Sequence, residues 1–257
     1  MPECARRVLT QSRALLSLLW FDGAVPPTTR AERRRDLERR IVEVGRRHLV
    51  TQGAAGLSLR AVTRELGMVS SAVYRYVANR DELLTLLVVD AYTELADRVD
   101  AALDAAAAQR WDERVVTAGL AFRAWAAGDP ASYALLYGSP VPGYEAPAER
   151  TVEPGTRVVL ALARLVAEGS AAGEVARSGP VPVSGAALSA DLERLAVGAG
   201  LAEDGEDVVG RALFLWSSLV GATSLEVFGQ YGTDAVLSPA DLLEHELRLA
   251  LTVVRGR

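Results

Sequence analysis

Apolar residues recur at intervals of three and four positions along almost the whole chain, from about residue 36 to residue 254. This spacing places them on one face of an α-helix, whereas a half-buried strand would alternate apolar and polar residues. The sequence contains no such alternating segment and no internal repeat. The periodicity therefore predicts an all-α fold.

Capping residues, glycines and prolines divide this pattern into separate helices. Ser58 and Asn79 are suited to begin a helix, and Gly53 and Gly67 are suited to end one. The segments 138–155 and 169–185 are rich in glycine, proline or serine and are predicted to be loops. We predict helices over 36–52, 59–66, 70–77, 81–103, 112–127, 130–137, 155–168, 187–199, 205–230 and 239–254. Residues 1–30 are expected to form a loosely ordered extension.

Charge is distributed unevenly along the chain. Residues 1–80 carry a net charge of +8 and residues 81–257 carry −13, within a total of −5. All 28 basic residues are arginine, which reflects either the bidentate geometry of arginine or only a genome rich in G and C. A basic head joined to an acidic body is typical of a protein whose head binds phosphate groups.

The composition argues against several classes of protein. Cys4 is the single cysteine and His48 and His245 are the two histidines, so we expect no disulfide framework, no metal site and no cofactor. No glycine-rich phosphate loop or nucleophile elbow is present, so the chain is not expected to be an enzyme. The longest early apolar run, 14–21, is shorter than the roughly 18 to 20 residues of a membrane span and lacks a cleavage site. We expect a cytoplasmic protein with no membrane partner.

Residues 58–77 have the spacing of a helix-turn-helix motif. A short helix, a turn at Gly67 and a second helix would place the start of the second helix in the major groove of DNA. Arginines, hydroxyl groups and helix amino termini, which supply most phosphate contacts, surround it. The candidate DNA-binding residues are Ser58, Arg60, Ser70, Ser71, Ala72, Tyr74, Arg75, Tyr76 and Arg80.

The arginines before and along the first helix have two interpretations. Residues 33–35 form either an arm that contacts phosphate or the minor groove, or a solvated run of charge. Four further arginines are expected on the solvent face of the helix: Arg39, Arg40, Arg46 and Arg47. His48 is expected at the edge of the small core.

The segment "LSLRAVTRELGMVSSAVYRYVANRDELL" and the long helix after it resemble the DNA-binding head of the TetR (tetracycline-repressor-like) family of transcriptional regulators. The body is similar to a subgroup with a "WHG"-like C-terminal ligand-binding and dimerisation domain, through "AFRAWAAGDPASYALLYGSPVPGYEAP" and "LWSSLVGATSLEVFGQY". The resemblance covers most of residues 36–254. It implies a DNA-binding domain over 36–96 and a ligand-binding and dimerisation domain over 97–257.

The resemblance also implies roles for single residues. Tyr74, Tyr76 and Arg80 match positions that contact the DNA backbone, Ser58 matches a helix cap, and Gly67 matches the turn. Three positions depart from the family pattern, with Val69, Ala72 and Val77 where serine, threonine and phenylalanine are usual. Val69 shifts the expected cap to Ser70 or Ser71, and Ala72 would offer a methyl group to thymine in place of a hydroxyl group.

Aromatic residues of the body are candidates to line a pocket for a small-molecule ligand. They are Trp125, Tyr133, Tyr137, Phe214, Trp216 and Phe228. The alternative is that they belong to the ordinary core, since aromatic residues at helical spacing usually do. Glu226 would anchor a cationic ligand, join a buried network or lie at an exposed edge.

The last two helices carry the prediction of a homodimer. The segment 212–231 is apolar around most of its circumference, and such a helix usually has a second partner. Paired with 239–254 it would supply half of a four-helix interface, with His245 there or in solvent.

Together these patterns predict a dimeric, ligand-responsive repressor that binds a near-palindromic operator in double-stranded DNA and is released by a small-molecule effector. The alternative is a helical ligand-binding or protein-interaction module that no longer reads DNA, which Val69 and Ala72 suggest.

Overall fold

A computed structural model describes residues 29–176, 185–201, 205–232 and 234–256, and the side chains of Arg30, Ser70 and Ser71 lie outside this description. Every regular element within these residues is an α-helix, which confirms the predicted fold class. The elements are α1 (Arg30–Gly56), α2 (Leu59–Glu65), α3 (Ser70–Val73), α4 (Arg80–Ala105), α5 (Trp111–Gly128), α6 (Pro130–Tyr137), α7 (Ala148–Ala171), α8 (Ala186–Gly198), α9 (Gly205–Val227) and α10 (Pro239–Arg255). The extension predicted over 1–30 falls almost wholly outside the described residues.

Backbone contacts divide the chain into two units, Met1–Arg39 and Arg40–Arg257. Within the second unit we call residues 40–80 the head and residues 81–256 the body. Helix α4 passes through residue 96 without interruption. The division into domains of 36–96 and 97–257 therefore stays a prediction.

The first helix begins six residues earlier than the periodicity indicated. Thr29 and Glu32 form a reciprocal cap, in which Thr29 Oγ1 accepts from the Glu32 backbone N–H at 3.1 Å and Glu32 Oε2 accepts from the Thr29 N–H at 2.5 Å. These hydrogen bonds lower the pKa of Glu32. The predicted stop at Gly53 appears as a kink with a φ of 67°, and one more turn follows it.

The helix-turn-helix segment folds around a small apolar core. Ser58 caps α2 by accepting from the backbone N–H of Ala61 at 3.4 Å, and Gly67 takes a φ of 64° in the turn. Helix α3 is shorter than the predicted 70–77, because the N–H groups of Tyr76 and Val77 both bond to the carbonyl oxygen of Val73 and close a tight turn. The buried hydrophobic residues of the head are Ile41, Val44, Leu49, Leu57, Leu59, Val62, Val73 and Val77.

Helix α4 leads from the head into the body. Asn79 Oδ1 accepts from the backbone N–H of Glu82 at 2.8 Å, and Asp81 and Glu82 occupy the first turn, where the helix dipole favours negative charge. This start agrees with the predicted one to within a residue. The buried stripe of α4 continues from Leu83 to Leu103 and packs against α5, α6 and α7.

Helix α7 corrects the predicted loop that ended at residue 155. The helix begins at Ala148 and contains Pro154, which is buried. Pro154 lies beyond the first turn, so it removes one backbone hydrogen bond and crowds the carbonyl of the preceding turn, and the packing of α7 against α4 stabilises the helix despite this cost. Gly155 makes this packing possible, since a Cβ there would lie 3.3 Å from the ring of Tyr92.

The body ends with α9 and α10 side by side. Helix α9 stops at Val227 and not at residue 230, because Gly229 adopts a φ of 68° and Gln230 N–H bonds to the Leu225 carbonyl oxygen at 2.8 Å. Helix α10 starts at Pro239 as predicted, although the side chain of Ser238 makes no capping bond.

One described helix, α9, is long and apolar enough to cross a membrane, with a mean hydropathy of 1.4. Core helices of globular proteins meet the same criterion, and α9 packs against α7, α8 and α10.

Candidate functional site

The surface around α2 and α3 exposes three of the nine predicted DNA-binding residues and leaves four others half-buried. Arg60 and Arg75 are exposed, Tyr74 is 41% exposed, and Ala72 and Tyr76 are half-buried. Ser58 is used as the cap of α2, while the side chains of Ser70 and Ser71 lie outside the description. The helix-turn-helix segment thus presents Arg60, Tyr74 and Arg75 to solvent, and their contact with DNA stays a prediction.

Three arginines of this surface are free to bind an external anion. Arg60, Arg64 and Arg75 are exposed, and none of them takes part in an ion pair among the described residues. A guanidinium group without an internal carboxylate keeps its donors for phosphate oxygens. The surface therefore presents unneutralised positive charge.

Val69 is the most exposed apolar residue of this region, at 73%. It precedes α3, and its carbonyl oxygen accepts from the backbone N–H of Ala72 at 2.9 Å. A side-chain cap from Val69 is chemically impossible, as the sequence indicated. Its two methyl groups face solvent at the start of the predicted recognition helix.

Arg80 has a structural role that the sequence did not reveal. Its guanidinium group donates to the carbonyl oxygens of Ala54 at 2.9 Å, Ala55 at 3.2 Å and Leu57 at 3.2 Å. These carbonyls lie at the end of α1, where the helix leaves acceptors unpaired. Arg80 thus closes the C-terminus of α1, and its contact with DNA stays a prediction.

Two of the four arginines expected on the solvent face of α1 are bound to carboxylates of other helices. Arg47 binds Glu65 of α2 at 2.8 Å, and His48 Nε2 lies 2.7 Å from the other oxygen of that carboxylate. These hydrogen bonds, first from Arg47 and then from His48, lower the pKa of Glu65. Arg47 is exposed, as expected for the solvent face of α1, and its ion pair with Glu65 lies at the surface.

Arg46 is half-buried and joins the head to the body. Its guanidinium group lies 2.6 Å from Asp90 and 2.6 Å from Glu94, both on α4, and 3.9 Å from Asp129, which caps α6. Burial acts to lower the pKa of Arg46, but its hydrogen bonds and charge partners outweigh this and raise it. The solvent-face interpretation is wrong for Arg46, because helical spacing cannot reveal a partner 44 residues away.

Four of the six predicted pocket residues meet in one aromatic cluster. Its members are Tyr92, Phe122, Tyr133, Tyr137, Trp216 and Phe228, and ring centroids in contact are 5.1 to 6.2 Å apart. Phe122 and Tyr92 were not predicted, although Phe122 lies at the centre and is fully buried. Their positions on the apolar stripes of α5 and α4 were the available signal.

Polar atoms give this cluster hydrogen-bonding capacity. The hydroxyl of Tyr133 donates to the Val220 carbonyl oxygen at 3.1 Å and lies 2.7 Å from Ser224 Oγ. Burial, followed by the neighbouring Tyr92 and Tyr133, raises the pKa of Tyr137, so its hydroxyl stays protonated.

The other two predicted residues lie apart from these rings. Trp125 is buried on the same face of α5 as Phe122, while Phe214 is 43% exposed. Phe214 and Trp216 are two residues apart on one helix, which turns about 200° over that interval. They therefore face opposite sides of α9, and assigning both to one pocket was wrong.

Glu226 belongs to a half-buried ion pair. Arg123 donates to its two carboxylate oxygens at 2.8 and 2.5 Å. Of the alternatives that the sequence left open, the structure favours the buried network.

An apolar groove of about 420 Å³ lies on the other side of α6 from the aromatic cluster. It is lined by Leu49, Gly53, Ala54 and Ala55 of α1, by Ala131, Ala134 and Leu135 of α6, and by the segment 139–142. None of these lining residues is charged. Among the described residues, no group of three or more His, Cys, Asp or Glu could hold a metal ion.

The outer faces of α9 and α10 expose apolar side chains. Phe214 and Leu225 of α9 and Leu249 and Val253 of α10 are exposed, the last two by 55% and 51%. His245 is also exposed on α10. The two helices contact each other, so these residues form an apolar surface at one side of the body.

Comparisons with known proteins agree with this arrangement. Residues 115–250 match the family described as "Tetracyclin repressor-like, C-terminal domain". HTH-type transcriptional regulators of Mycobacterium bovis and Mycobacterium tuberculosis are 49% identical to the chain over 231 residues, which cover 88% of this chain and 97% of each regulator.

Solved structures share the fold. One described as a regulatory protein is 32% identical, with a TM-score of 0.67, and the match covers 88% of this chain and 100% of that one. A tetR-family regulatory protein from Rhodococcus RHA1 is 17% identical, with a TM-score of 0.56, over 88% and 98% of the two chains. At that lower identity the second likeness concerns the fold alone.

Proposed function

The chain belongs to the TetR family of DNA-binding transcriptional regulators, and we propose that it acts as a dimeric repressor that leaves a near-palindromic operator when a small molecule binds its body. The family relationship supports a regulator and not an enzyme. We place it in the cytoplasm, where its DNA would be.

The free arginines of the head are the observation that carries the proposed DNA-binding surface. Arg60, Arg64 and Arg75 are exposed and unpaired among the described residues, beside the exposed ring of Tyr74. In our proposal the arginines and tyrosines hold phosphates, while Ser70, Ser71 and Ala72 lie against base edges. Arg80 would act chiefly by fixing the end of α1.

The apolar face of α9 and α10 supports dimerisation. Side chains such as Phe214, Leu249 and Val253 would leave water if a second copy covered them. A twofold arrangement of heads would read two half-sites about 34 to 36 Å apart, or a spacing set by the dimer. This symmetry is why the operator is expected to be near-palindromic.

The junction at Arg46 supports release by a ligand. Arg46 of α1 is bound to Asp90 and Glu94 of α4, and α4 also supplies Tyr92 to the aromatic cluster. A ligand that shifts α4 would therefore shift the ion pairs that hold α1. A ligand that prefers the DNA-free arrangement weakens operator binding by its coupling free energy, typically about 1–3 kcal/mol.

Selection of bound fragments from a randomised DNA pool tests the DNA-binding proposal. We expect a palindromic consensus, with affinity that falls by about 10³ to 10⁵ between roughly 50 and 200 mM salt if the dimer neutralises about 6 to 10 phosphates. No enrichment, together with no retardation of the gene's own upstream region in a gel shift, would favour the alternative module that does not read DNA.

Single arginine substitutions locate the surface. Arg60→Ala and Arg75→Ala should weaken binding to all sequences about equally, and each should reduce the salt slope by about 2, because the dimer loses one phosphate contact in each subunit. Arg248→Ala is the matched control, because Arg248 lies in the body and binds Glu113 at 2.9 Å and Glu244 at 2.9 Å. Equal effects of the head and body substitutions would contradict the assigned surface.

A further inference from the structure

Val69 exposes an apolar side chain where the second helix of the helix-turn-helix begins. Its exposed fraction is 73%, and it immediately precedes α3, which starts at Ser70. In helix-turn-helix proteins the first residues of the second helix contact base edges in the major groove of DNA. Val69 therefore lies at the end of α3 that would approach the bases.

Neither the core of the head nor the capping of α3 requires a valine at this position. Val62, Val73 and Val77 of the same motif are each 0% exposed, so the core closes without the side chain of Val69. The Val69 carbonyl oxygen accepts from the Ala72 N–H at 2.9 Å, as the carbonyl of an N-cap residue does. A serine side chain at that position could add a second capping bond, which valine cannot make. The fold of the head therefore does not account for a valine here.

Exposure alone does not set Val69 apart. Among the described residues of the head, Val50 is 68% exposed and Tyr74 is 41% exposed, and single exposed apolar residues are common on protein surfaces. Val50 lies on α1, however, outside the helix-turn-helix motif, and Tyr74 ends in a hydroxyl group that can bind phosphate. Val69 combines an exposed, purely hydrocarbon side chain with a place at the start of α3.

The charge around the motif is complementary to DNA. Arg60 and Arg64 lie on α2, and Arg75 follows α3. All three are exposed, and none takes part in an ion pair among the described residues. Phosphate contacts fix the register and orientation of a protein on the duplex. Arginines before and after Val69 in the chain would therefore hold the start of α3 close to the bases.

The major groove presents one kind of methyl group to such a side chain. Thymine carries a 5-methyl group there, whereas the other features by which the bases are told apart are hydrogen-bond donors and acceptors. Valine has no polar atom in its side chain, so it would deprive those donors and acceptors of water without replacing the bond. Against thymine, by contrast, the methyl groups of both partners leave water. Attraction to thymine and the cost at other bases favour the same choice.

We propose that Val69 reads one thymine in each half-site of the operator by packing against its 5-methyl group. The proposal rests on the proposed function, since it names the base that the start of α3 recognises. Each subunit of the dimer makes the same contact, so the thymine recurs at symmetry-related positions of the operator. Ala72, which is half-buried, offers one methyl group, whereas Val69 offers two that are more exposed.

Removal of a methyl group from the operator tests the contact. Each thymine of the selected consensus is replaced in turn by uracil, in one half-site and in both, which keeps the base pair and deletes only the 5-methyl group. Fluorescence anisotropy at fixed salt measures the affinity of the full-length protein. At one position we expect a loss of about four-fold for one half-site and about ten-fold or more for both, as when a methyl group is returned to water. The absence of any such position, or a consensus without thymine in its half-sites, would overturn the proposal.

Val69→Ser shows whether this side chain is the one that reads the methyl group. Serine removes both methyl groups of valine and supplies a capping oxygen, so α3 should remain folded. We expect this variant to bind the thymine and uracil operators about equally, and to keep the wild-type salt dependence, because no charge is lost. If Val69→Ser keeps the wild-type preference for thymine, another residue, such as Ala72, reads the methyl group and the proposal is wrong.

Two further variants serve as controls. Val50→Ser makes the same substitution at an exposed valine of α1, and it should keep both the affinity and the preference for thymine. Arg60→Ala should weaken binding to the thymine and uracil operators by the same factor, since a phosphate contact carries no information about the base. If Val50→Ser abolishes the preference as Val69→Ser does, the loss reflects a general change in the head, which contradicts a direct contact from Val69.

The outcomes distinguish this proposal from the proposed function. A protein that selects no consensus and retards no DNA refutes the proposed function, and the proposal about Val69 fails with it. A protein that selects a palindromic consensus and loses affinity in Arg60→Ala, but binds the thymine and uracil operators equally, refutes only the reading of thymine by Val69. A preference for thymine that is lost in Val69→Ser and kept in Val50→Ser supports both.

Discussion

The head and the body use the same kinds of side chain in opposite ways. In the head, Arg60 is exposed and unpaired among the described residues and Tyr74 reaches solvent. In the body, Arg123 forms an ion pair with Glu226, and Tyr133 is fully buried and donates a hydrogen bond to the Val220 carbonyl oxygen. An arginine without an internal carboxylate remains available to external anions, whereas a paired one joins helices. The neighbours of a side chain, and not its type, distinguish recognition from packing.

The junction between the two regions shows where the contrast breaks down. Arg46 and Arg80 belong to the basic head by sequence. Arg46 nevertheless lies within 4 Å of three carboxylates of the body, and Arg80 donates hydrogen bonds to carbonyl oxygens at the end of α1. Residues that lie at the boundary thus behave like residues of the body. For this reason we expect a conformational change in the body to alter the position of α1 in the head.

The largest expected effect separates buried from exposed aromatic rings. Phe122→Ala should lower the free energy of unfolding by about 3–5 kcal/mol, because it opens a cavity at the centre of the aromatic cluster. Tyr74→Ala should lower it by less than about 1 kcal/mol, since that ring lies at the surface. Chemical denaturation at one fixed protein concentration compares the two. Similar losses would mean that the tyrosine is part of the core of the head.

A second comparison concerns the junction. Arg46→Ala should cost about 1–3 kcal/mol, since it leaves Asp90 and Glu94 facing each other without their shared cation in a half-buried place. Arg98→Ala is the control, because Arg98 is 62% exposed and binds Glu94 only along the surface of α4, so about 0.5 kcal/mol or less is expected. Thermal unfolding of both variants measures the two losses of stability. If Arg46→Ala loses no more stability than Arg98→Ala, then Arg46 does not link the head to the body.

A smaller effect is expected for the caps of one head helix and one body helix. Ser58→Ala removes an observed capping bond at the start of α2 and should cost about 1 kcal/mol. Ser238→Ala, at the start of α10, removes a hydroxyl that makes no such bond and should change stability by less than about 0.5 kcal/mol. If the two variants lose stability equally, the capping bond of Ser58 contributes nothing specific.

The smallest effect is a dependence on pH within the head. The pKa of Glu65 is lowered from its ordinary value of 4.5 by hydrogen bonds from Arg47 and then from His48. A carboxylate with a lowered pKa in the folded state stabilises it fully above the ordinary value, and this contribution is lost as the pH falls through the lowered one. The difference in the free energy of unfolding between the wild type and Glu65→Gln should therefore become smaller as the pH drops below about 4.5. Denaturation series at several pH values measure it. If this difference stays constant across that range, the ionised Glu65 carboxylate does not cause it.

Local sequence was enough for most of the fold. The spacing of Leu83, Leu87 and Leu95 and the cap at Asn79 placed α4 correctly, and Ser58 and Gly67 placed the ends of the helix-turn-helix. These features depend on residues within one or two turns of one another. Where the boundary was wrong, as at the start of α7, contact with another helix outweighed the local tendency of Pro154 and Gly155 to break a helix.

The sequence by itself determined that the chain is helical, that its basic part carries a helix-turn-helix, and which faces of its helices are apolar, because period and capping are local properties. Only the tertiary structure decided which arginines meet carboxylates and that the rings of Phe122 and Trp216 come into contact. Those outcomes depend on residues 44 to 143 positions away in the chain. A one-dimensional pattern records which side of a helix is buried, but it does not record what is packed against that side.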